Sequence, residues 1–196
     1  MTPFAVRVLA VGAIGLGLGY GLLRADPPPP NPRNEAQTDI IRLSENLDAA
    51  DVKDRAKQIV EKHDSCDISS IFRLGPRFGP GIGKLTELGF RDSIDAFTSA
   101  LSTRKTTTEA EIEKYQPEFL RVAKILQAMA QLAPYRGKIV VANYEKRAKD
   151  WEKVSADFKE KTAEFRKSIE AKDPKRLRLA AESLRVTCNA CHDIAF

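Results

Sequence analysis

The sequence predicts an all-α protein with four main helices, joined by segments rich in turn and capping residues. Apolar residues recur at spacings of three and four through each of the four segments, the signature of one buried helix face. Asp173-Pro174 and Thr106-Thr107-Thr108-Glu109-Ala110-Glu111 have the chemistry of helix starts, a side-chain acceptor ahead of the first turn and a proline or an acid within it. A chain of 196 residues suffices for one domain whose core needs no disulfide staple.

The chain opens on a segment outside that fold. Arg7 is followed by an apolar run from Val8 to Leu23 and then Arg24, the pattern of an export signal. Cleavage after Ala25 would leave Leu23 at the third position back, where a smaller residue is usual. A spanning helix needs about 20 apolar residues, which the run approaches only when counted from Phe4 with Arg7 snorkelling. Residues 1–25 are therefore read as a removed signal peptide or a retained N-terminal anchor in contact with the membrane. Either puts the remainder in the periplasm or another extracytoplasmic space. Asp26-Pro27-Pro28-Pro29-Pro30-Asn31-Pro32 reads as a stiff polyproline spacer, so 26–34 is a linker and 35–196 the domain.

The first helix is expected from about Glu35 to His63, on Ile40, Leu43 and Leu47 and then Val52, Ala56, Ile59 and Val60, with a bend or break at Leu47-Asp48-Ala49-Ala50-Asp51. Residues 64–90, with Gly75, Gly79, Gly81, Gly83 and Gly89, read as an irregular Gly/Pro-rich insertion. Its Gly81-Ile82-Gly83-Lys84 is no phosphate loop, because Phe78 and Leu85 stand where the pattern requires Gly and Ser or Thr. A short helix follows from Arg91 to Ser102. The second long helix carries Ile112, Tyr115, Phe119, Val122, Leu126 and Met129, with Pro117 a candidate for its true first turn, and should end at Ala133-Pro134-Tyr135-Arg136-Gly137. The third has Tyr144, Ala148, Trp151, Val154, Phe158, Phe165 and Ile169 on one face and Glu145, Lys146, Lys149 and Lys153 on the other. The last carries Leu177, Ala181, Leu184, Cys188 and Ala195 in the same spacing, which aims its chemistry into the core.

That chemistry is Cys188-Asn189-Ala190-Cys191-His192, the Cys-x-x-Cys-His signature of covalent attachment of a c-type haem. Two thiols three residues apart form thioethers with the haem vinyl groups, and His192, one turn beyond Cys188, supplies the axial imidazole to the iron. A thioredoxin-like pair would be expected at a helix start after a strand, and no strand pattern precedes this one. A zinc clip made of His63-x-x-Cys66 and Cys188-x-x-Cys191 stays open as a formal alternative. The adjacent histidine and the export signal favour one covalent haem c. Cys66, the third cysteine, reads as a free thiol, an intermolecular disulfide being the sharper alternative. The formal charge of +5, with no block of basic residues, gives a nucleic-acid partner no support.

With four main helices and this motif on the last, the stretch Leu184-Arg185-Val186-Thr187-Cys188-Asn189-Ala190-Cys191-His192-Asp193 resembles the cytochrome c′ family. The resemblance covers about Glu35 to Phe196, with a long insertion between the first helices. It implies an antiparallel four-helix bundle with haem near one end, His192 as proximal ligand, and a distal site walled by Leu43 or Leu47 of the first helix. Related bundle cytochromes carry a first-helix Met as sixth ligand, and this first helix has none. The basic side chain that the family commonly places a turn after the histidine is replaced by Phe196, and Arg42 is a candidate propionate partner beside its simpler reading as a solvated arginine. Family members are often homodimers; no exposed apolar stripe supports that here.

The function expected is electron transfer with a redox partner protein, and the alternative is binding or sensing of NO or CO at an open distal site. A peroxidase would need a distal acid–base pair, and with His63 the only other histidine the chain is not read as an enzyme. His63, at a helix end beside Lys62, reads as a solvated residue suited to the helix dipole, and Met129 as core. The iron is accordingly expected to be five-coordinate, with His192 its one strong axial ligand.

Overall fold

A computed structural model describes residues 32–73, 75, 79–103 and 107–195. The export segment, most of the proline spacer, Thr106 and Phe196 lie outside the described residues. Among the described residues no helix is long and apolar enough to cross a membrane.

The all-α reading holds: eight α-helices and two 3-10 turns make up the described elements, with no strand among them. Helix α1 spans Pro32–Glu45 and α2 spans Val52–Lys62. The spacer thus gives way to helix at Pro32, three residues earlier than expected, because proline fits the first helical turn, where its missing N–H costs nothing. The break falls where the sequence placed it. Asn46, Ala49 and Val52 each donate to the carbonyl three residues back, so the chain winds through tight turns between the helices.

The stretch from 64 to 90 is more ordered than its glycines suggested. Helix α3 spans Ser65–Ser69, and 3-10 turns cover Ser70–Phe72 and Gly83–Leu88. Ile68, Ile71, Ile82 and Leu85 are buried in the main core and anchor the path. Asp92 closes it: its carboxylate accepts from the Ile82 N–H at 2.7 Å and its carbonyl from the Gly75 N–H at 2.7 Å. Gly81 has φ of +61°, and a Cβ there would collide with the Asp92 carboxylate, so glycine is required twice over. Arg121 of a later helix donates to the Gly81 carbonyl at 2.9 Å.

Helix α4 is Ile94–Thr103 and α5 is Glu109–Lys114. The capping box is Thr108 with Glu111, each side chain bonding the other's backbone N–H. Helix α6 runs from Gln116 to Val140, with Pro117 in its first turn. It does not stop at Ala133-Pro134. Proline in a helix interior costs about 3 kcal/mol, yet here the helix continues because its last two turns are held by tertiary contacts. Trp151 donates to the Ala133 carbonyl at 2.9 Å, and Gly137 lets the Tyr144 and Trp151 rings approach the backbone. Helix α7 is Tyr144–Glu170 and α8 is Pro174–Ala195, started by Asp173, whose carboxylate accepts from the N–H groups of Lys175 and Arg176 at 2.9 and 3.0 Å.

Three-residue connections make α6, α7 and α8 run up, down and up. α7 packs between α6 and α8, while α1 and α2 cover α6. The main neighbours of α8 are α7 and α4, and α4 also meets α6 through Phe97 and Phe119, whose ring centroids are 5.7 Å apart. The first helix therefore packs on α6, α3 and α2, and it is α4 that lies along α8. This corrects the expectation that Leu43 or Leu47 walls the site. Leu43 is fully buried and Leu47 partly so, in the core shared with α6.

Candidate haem attachment site

Helix α8 enters the core on Leu177, Ala181 and Leu184, all fully buried, and then emerges. Cys188 and Cys191 are half-buried and His192 is exposed. The expectation that the motif replaces part of the core is corrected in this respect: it sits at the rim, where the buried stripe reaches the surface. Cys188 rests against the main core. Cys191 belongs to a separate apolar cluster built on Val141, Trp151 and Val154, with Val140, Tyr144, Ala190 and Ile194 packed on it. Arg147 closes this end of the molecule by donating to the Asp193 carbonyl at 3.0 Å.

The two thiols share an electrostatic environment. Burial, reinforced by neighbouring Cys191 and Asp95, pushes the Cys188 thiol up to about 12. Burial also pushes Cys191 up to about 11, with Arg136 opposing and Asp157 adding. Both thiols are therefore protonated at neutral pH. A disulfide-exchange pair needs the opposite, a thiolate favoured by a helix N-terminus or a nearby cation. This pair lies in the last turns of a 22-residue helix, where the dipole disfavours negative charge. A protonated thiol can still add across a vinyl group, the sulfur bonding to one carbon and the proton ending on the other.

Asp95 stands in the first turn of α4 and acts on Cys188 near the end of α8, so the start of α4 lies toward the motif end of α8. Helix α4, which packs on α8, reads Ile-Asp-Ala-Phe-Thr-Ser-Ala-Leu-Ser-Thr, a segment without histidine, methionine or lysine.

The other sequence candidates lie elsewhere. His63 caps α2 and is buried, not solvated as expected; its Nε2 lies 2.8 Å from the Asp39 carboxylate, which also takes Lys62 at 2.9 Å. The reason is tertiary: α1 carries Asp39 across the end of α2. Burial works to raise the Asp39 carboxyl, but the hydrogen bonds from Lys62 and His63 outweigh it and hold it below its ordinary value. Met129 is in the main core. Cys66 is exposed on α3. Arg42 is exposed on α1 and lies 3.9 Å from Asp39. Among the described residues no three His, Cys, Asp or Glu side chains gather closely enough to share a metal ion, so the four residues of the zinc clip are not assembled.

Two residues that sequence reasoning missed belong to this end. Asp95 acts on Cys188, and Arg136, largely buried near the end of α6, acts on Cys191. Neither has a local signature, since a charged residue in a helix reads as surface until the packing is known.

The residues present suit a covalent haem c: two protonated thiols at apolar surfaces, an imidazole one turn on, and a buried guanidinium whose Nε has no hydrogen-bond partner. Comparison with family models, with curated proteins and with solved structures found no match for this chain.

Proposed function

We propose that this chain is a c-type cytochrome of the four-helix-bundle class, carrying one haem c on Cys188 and Cys191 and transferring electrons outside the cytoplasm. The observation that carries the reading is the Cys-x-x-Cys-His motif with both cysteines set side by side against apolar clusters. When bound, haem supplies a one-electron iron couple. The chain's own residues do the rest. Cys188 and Cys191 tether the group, and His192 ligates the iron. Val141, Trp151 and Val154 shield the Cys191 side from water, which sets how strongly a change of charge is resisted. The partner is a redox protein, and the N-terminal segment delivers the domain across the membrane and, if retained, holds it there.

A second reading is favoured by one observation. The α4 segment beside Cys188 carries no strong-field ligand, so the sixth position would be open to NO or CO. The likeness to cytochrome c′ then rests on α4 standing where that family has its first helix.

Acid–acetone extraction of the native protein tests the central claim. The colour should stay with the polypeptide; haem that leaves with the solvent, or a colourless protein, defeats it. Recovery of the holoprotein from the cytoplasm would defeat the localisation.

A further inference from the structure

The outer face of α8 carries an apolar pair and a set of cations that nothing in the fold uses. Leu179 is 52 % exposed and Val186 is 59 % exposed; the other exposed large apolar residue among the described ones, Ile139, lies on α6. Leu179 and Val186 are two turns apart, so they stand on one line of the helix about 10 Å from each other. That line lies about half a turn round α8 from Cys188, opposite the buried stripe of Leu177, Ala181 and Leu184. Leu179 also walls a groove of about 290 Å³ between α7 and α8, with Lys167 and Ser168 on the α7 side and Arg176 and Ser183 on the α8 side. The charges around it are lopsided. The nearby carboxylates are taken, Glu164 by Lys161 at 3.1 Å, Glu170 by Arg166 at 2.8 Å and Asp173 by Arg176 at 3.3 Å. Lys167, Lys175, Arg178 and Arg185 are exposed, and among the described residues no carboxylate forms an ion pair with their side chains. On α8 itself, Glu182 is the only carboxylate before the Cys-x-x-Cys-His motif.

We propose that this face docks an acidic amphipathic helix of a partner protein, whose apolar ridge lies along Leu179 and Val186 and whose flanking carboxylates meet Lys167, Lys175, Arg178 and Arg185. Apolar residues two turns apart on one line match the ridge of a second helix, and a groove between two packed helices is the shape that takes a third. Charge selects the occupant. A second copy of the same face would set four unpaired cations against four, which disfavours a symmetric dimer through α8. An anionic bilayer would answer the cations, but its flat surface fills no groove and would lie against the exposed carboxylates of Glu164 and Glu182 as well. Carboxylates at fixed places on a helix reach the cations on both sides and pass those two acids by. The apolar pair supplies contact area, and the cations supply orientation and a faster encounter. Because the face points away from Cys188, docking there does not depend on haem attachment.

The test uses the full chain and a synthetic helical peptide with leucines two turns apart flanked by glutamates, its binding followed by fluorescence anisotropy. A peptide with lysines in place of the glutamates is the control. The acidic peptide should bind, and added salt should weaken it. Arg178→Glu/Arg185→Glu should weaken it about tenfold, and Leu179→Ser/Val186→Ser by a similar factor. Arg178→Lys/Arg185→Lys, which keeps the charge, should retain most of the affinity. Lys53→Glu/Lys57→Glu, on the exposed side of α2, should leave it unchanged. All these positions are at the surface, and the urea midpoint of each variant checks that it is folded. The haem-free Cys188→Ala/Cys191→Ala chain should bind the peptide equally well, so failure of the haem assignment and failure of the docking face are read separately. Absence of binding, equal binding of the lysine peptide, or equal weakening by Lys53→Glu/Lys57→Glu overturns the proposal. So does binding to phosphatidylglycerol vesicles, with none to the peptide, that Arg178→Glu/Arg185→Glu abolishes, which would give the face to a membrane. Self-association in the ultracentrifuge that Leu179→Ser/Val186→Ser abolishes would give it to a second copy and overturn the proposal equally.

Discussion

Replacing Gly137 by alanine tests the α6–α7 contact that supports the Cys191 cluster. Glycine inside a helix is about 1 kcal/mol worse than alanine, so in open space the change would stabilise the protein. Here a Cβ would stand 2.5 Å from Trp151 Cδ1 and 2.8 Å from Trp151 Nε1, with the Tyr144 ring closer still. Tyr144 is half-buried at the start of α7 and can swing away. Trp151 cannot: it is 5 % exposed and its Nε1 donates at 2.9 Å to Ala133, one turn before Gly137 on the same helix. Overpacking costs about 1–3 kcal/mol, and a strained or broken indole hydrogen bond adds about 1 kcal/mol. Subtracting the propensity gain leaves a net loss of about 1–3 kcal/mol, read as a lower urea midpoint at unchanged slope. In a Trp151→Leu background the obstacle is gone, and Gly137→Ala should turn stabilising by up to about 1 kcal/mol. The same stabilisation in both backgrounds would refute the close approach.

Two further outcomes follow from the placement of His63. With that ring held by Asp39 and Met129 in the main core, the ferric iron should be mainly high-spin, ferrous iron should bind CO readily, and His63→Ala should leave the visible spectrum unaltered; a low-spin spectrum that turns high-spin in His63→Ala or Met129→Ala would move the reading to a six-coordinate carrier. The Asp39 carboxyl is lower in the folded protein than in the unfolded chain, so its contribution is complete above about pH 4 and is lost as pH falls through the folded value. Asp39→Ala should cost about 1–3 kcal/mol at pH 7 by leaving the buried His63 ring unpartnered, and the gap to the unaltered protein should close on acidification below pH 4; a gap that widens there would be the wrong sign.

Much of this fold was legible because helix signals are local. The stripe Tyr144, Trp151, Phe158 and Phe165 recurs within one helix, and Thr108 and Glu111 cap one within four residues. What was illegible depends on partners distant in sequence. Pro134 reads as a stop, and only Trp151, seventeen residues later, shows why α6 passes through it. The glycines of 75–89 read as irregular chain, and their order comes from Asp92 and Arg121. His63 reads as a solvated helix end until α1 brings Asp39 to it. The Cys188-Asn189-Ala190-Cys191-His192 motif was legible because it is carried in five adjacent residues; the charge of Arg136 acting on Cys191 was not, because Arg136 is more than fifty residues away in the chain.

The same contrast bears on the distal side of the site. Chain order suggested that the first helix would face the last, which singled out Leu43 and Leu47. Packing order differs: the connection after α2 carries the chain around α6, and α4 is laid along α8 with Asp95 beside Cys188. The α4 segment, like α1, contains no histidine, methionine or lysine. What does change is charge. An aliphatic wall would leave the motif electrostatically bare, whereas α4 sets an exposed carboxylate on the Cys188 side while α6 sets a buried guanidinium on the Cys191 side. A group bridging the two cysteines would lie across that gradient.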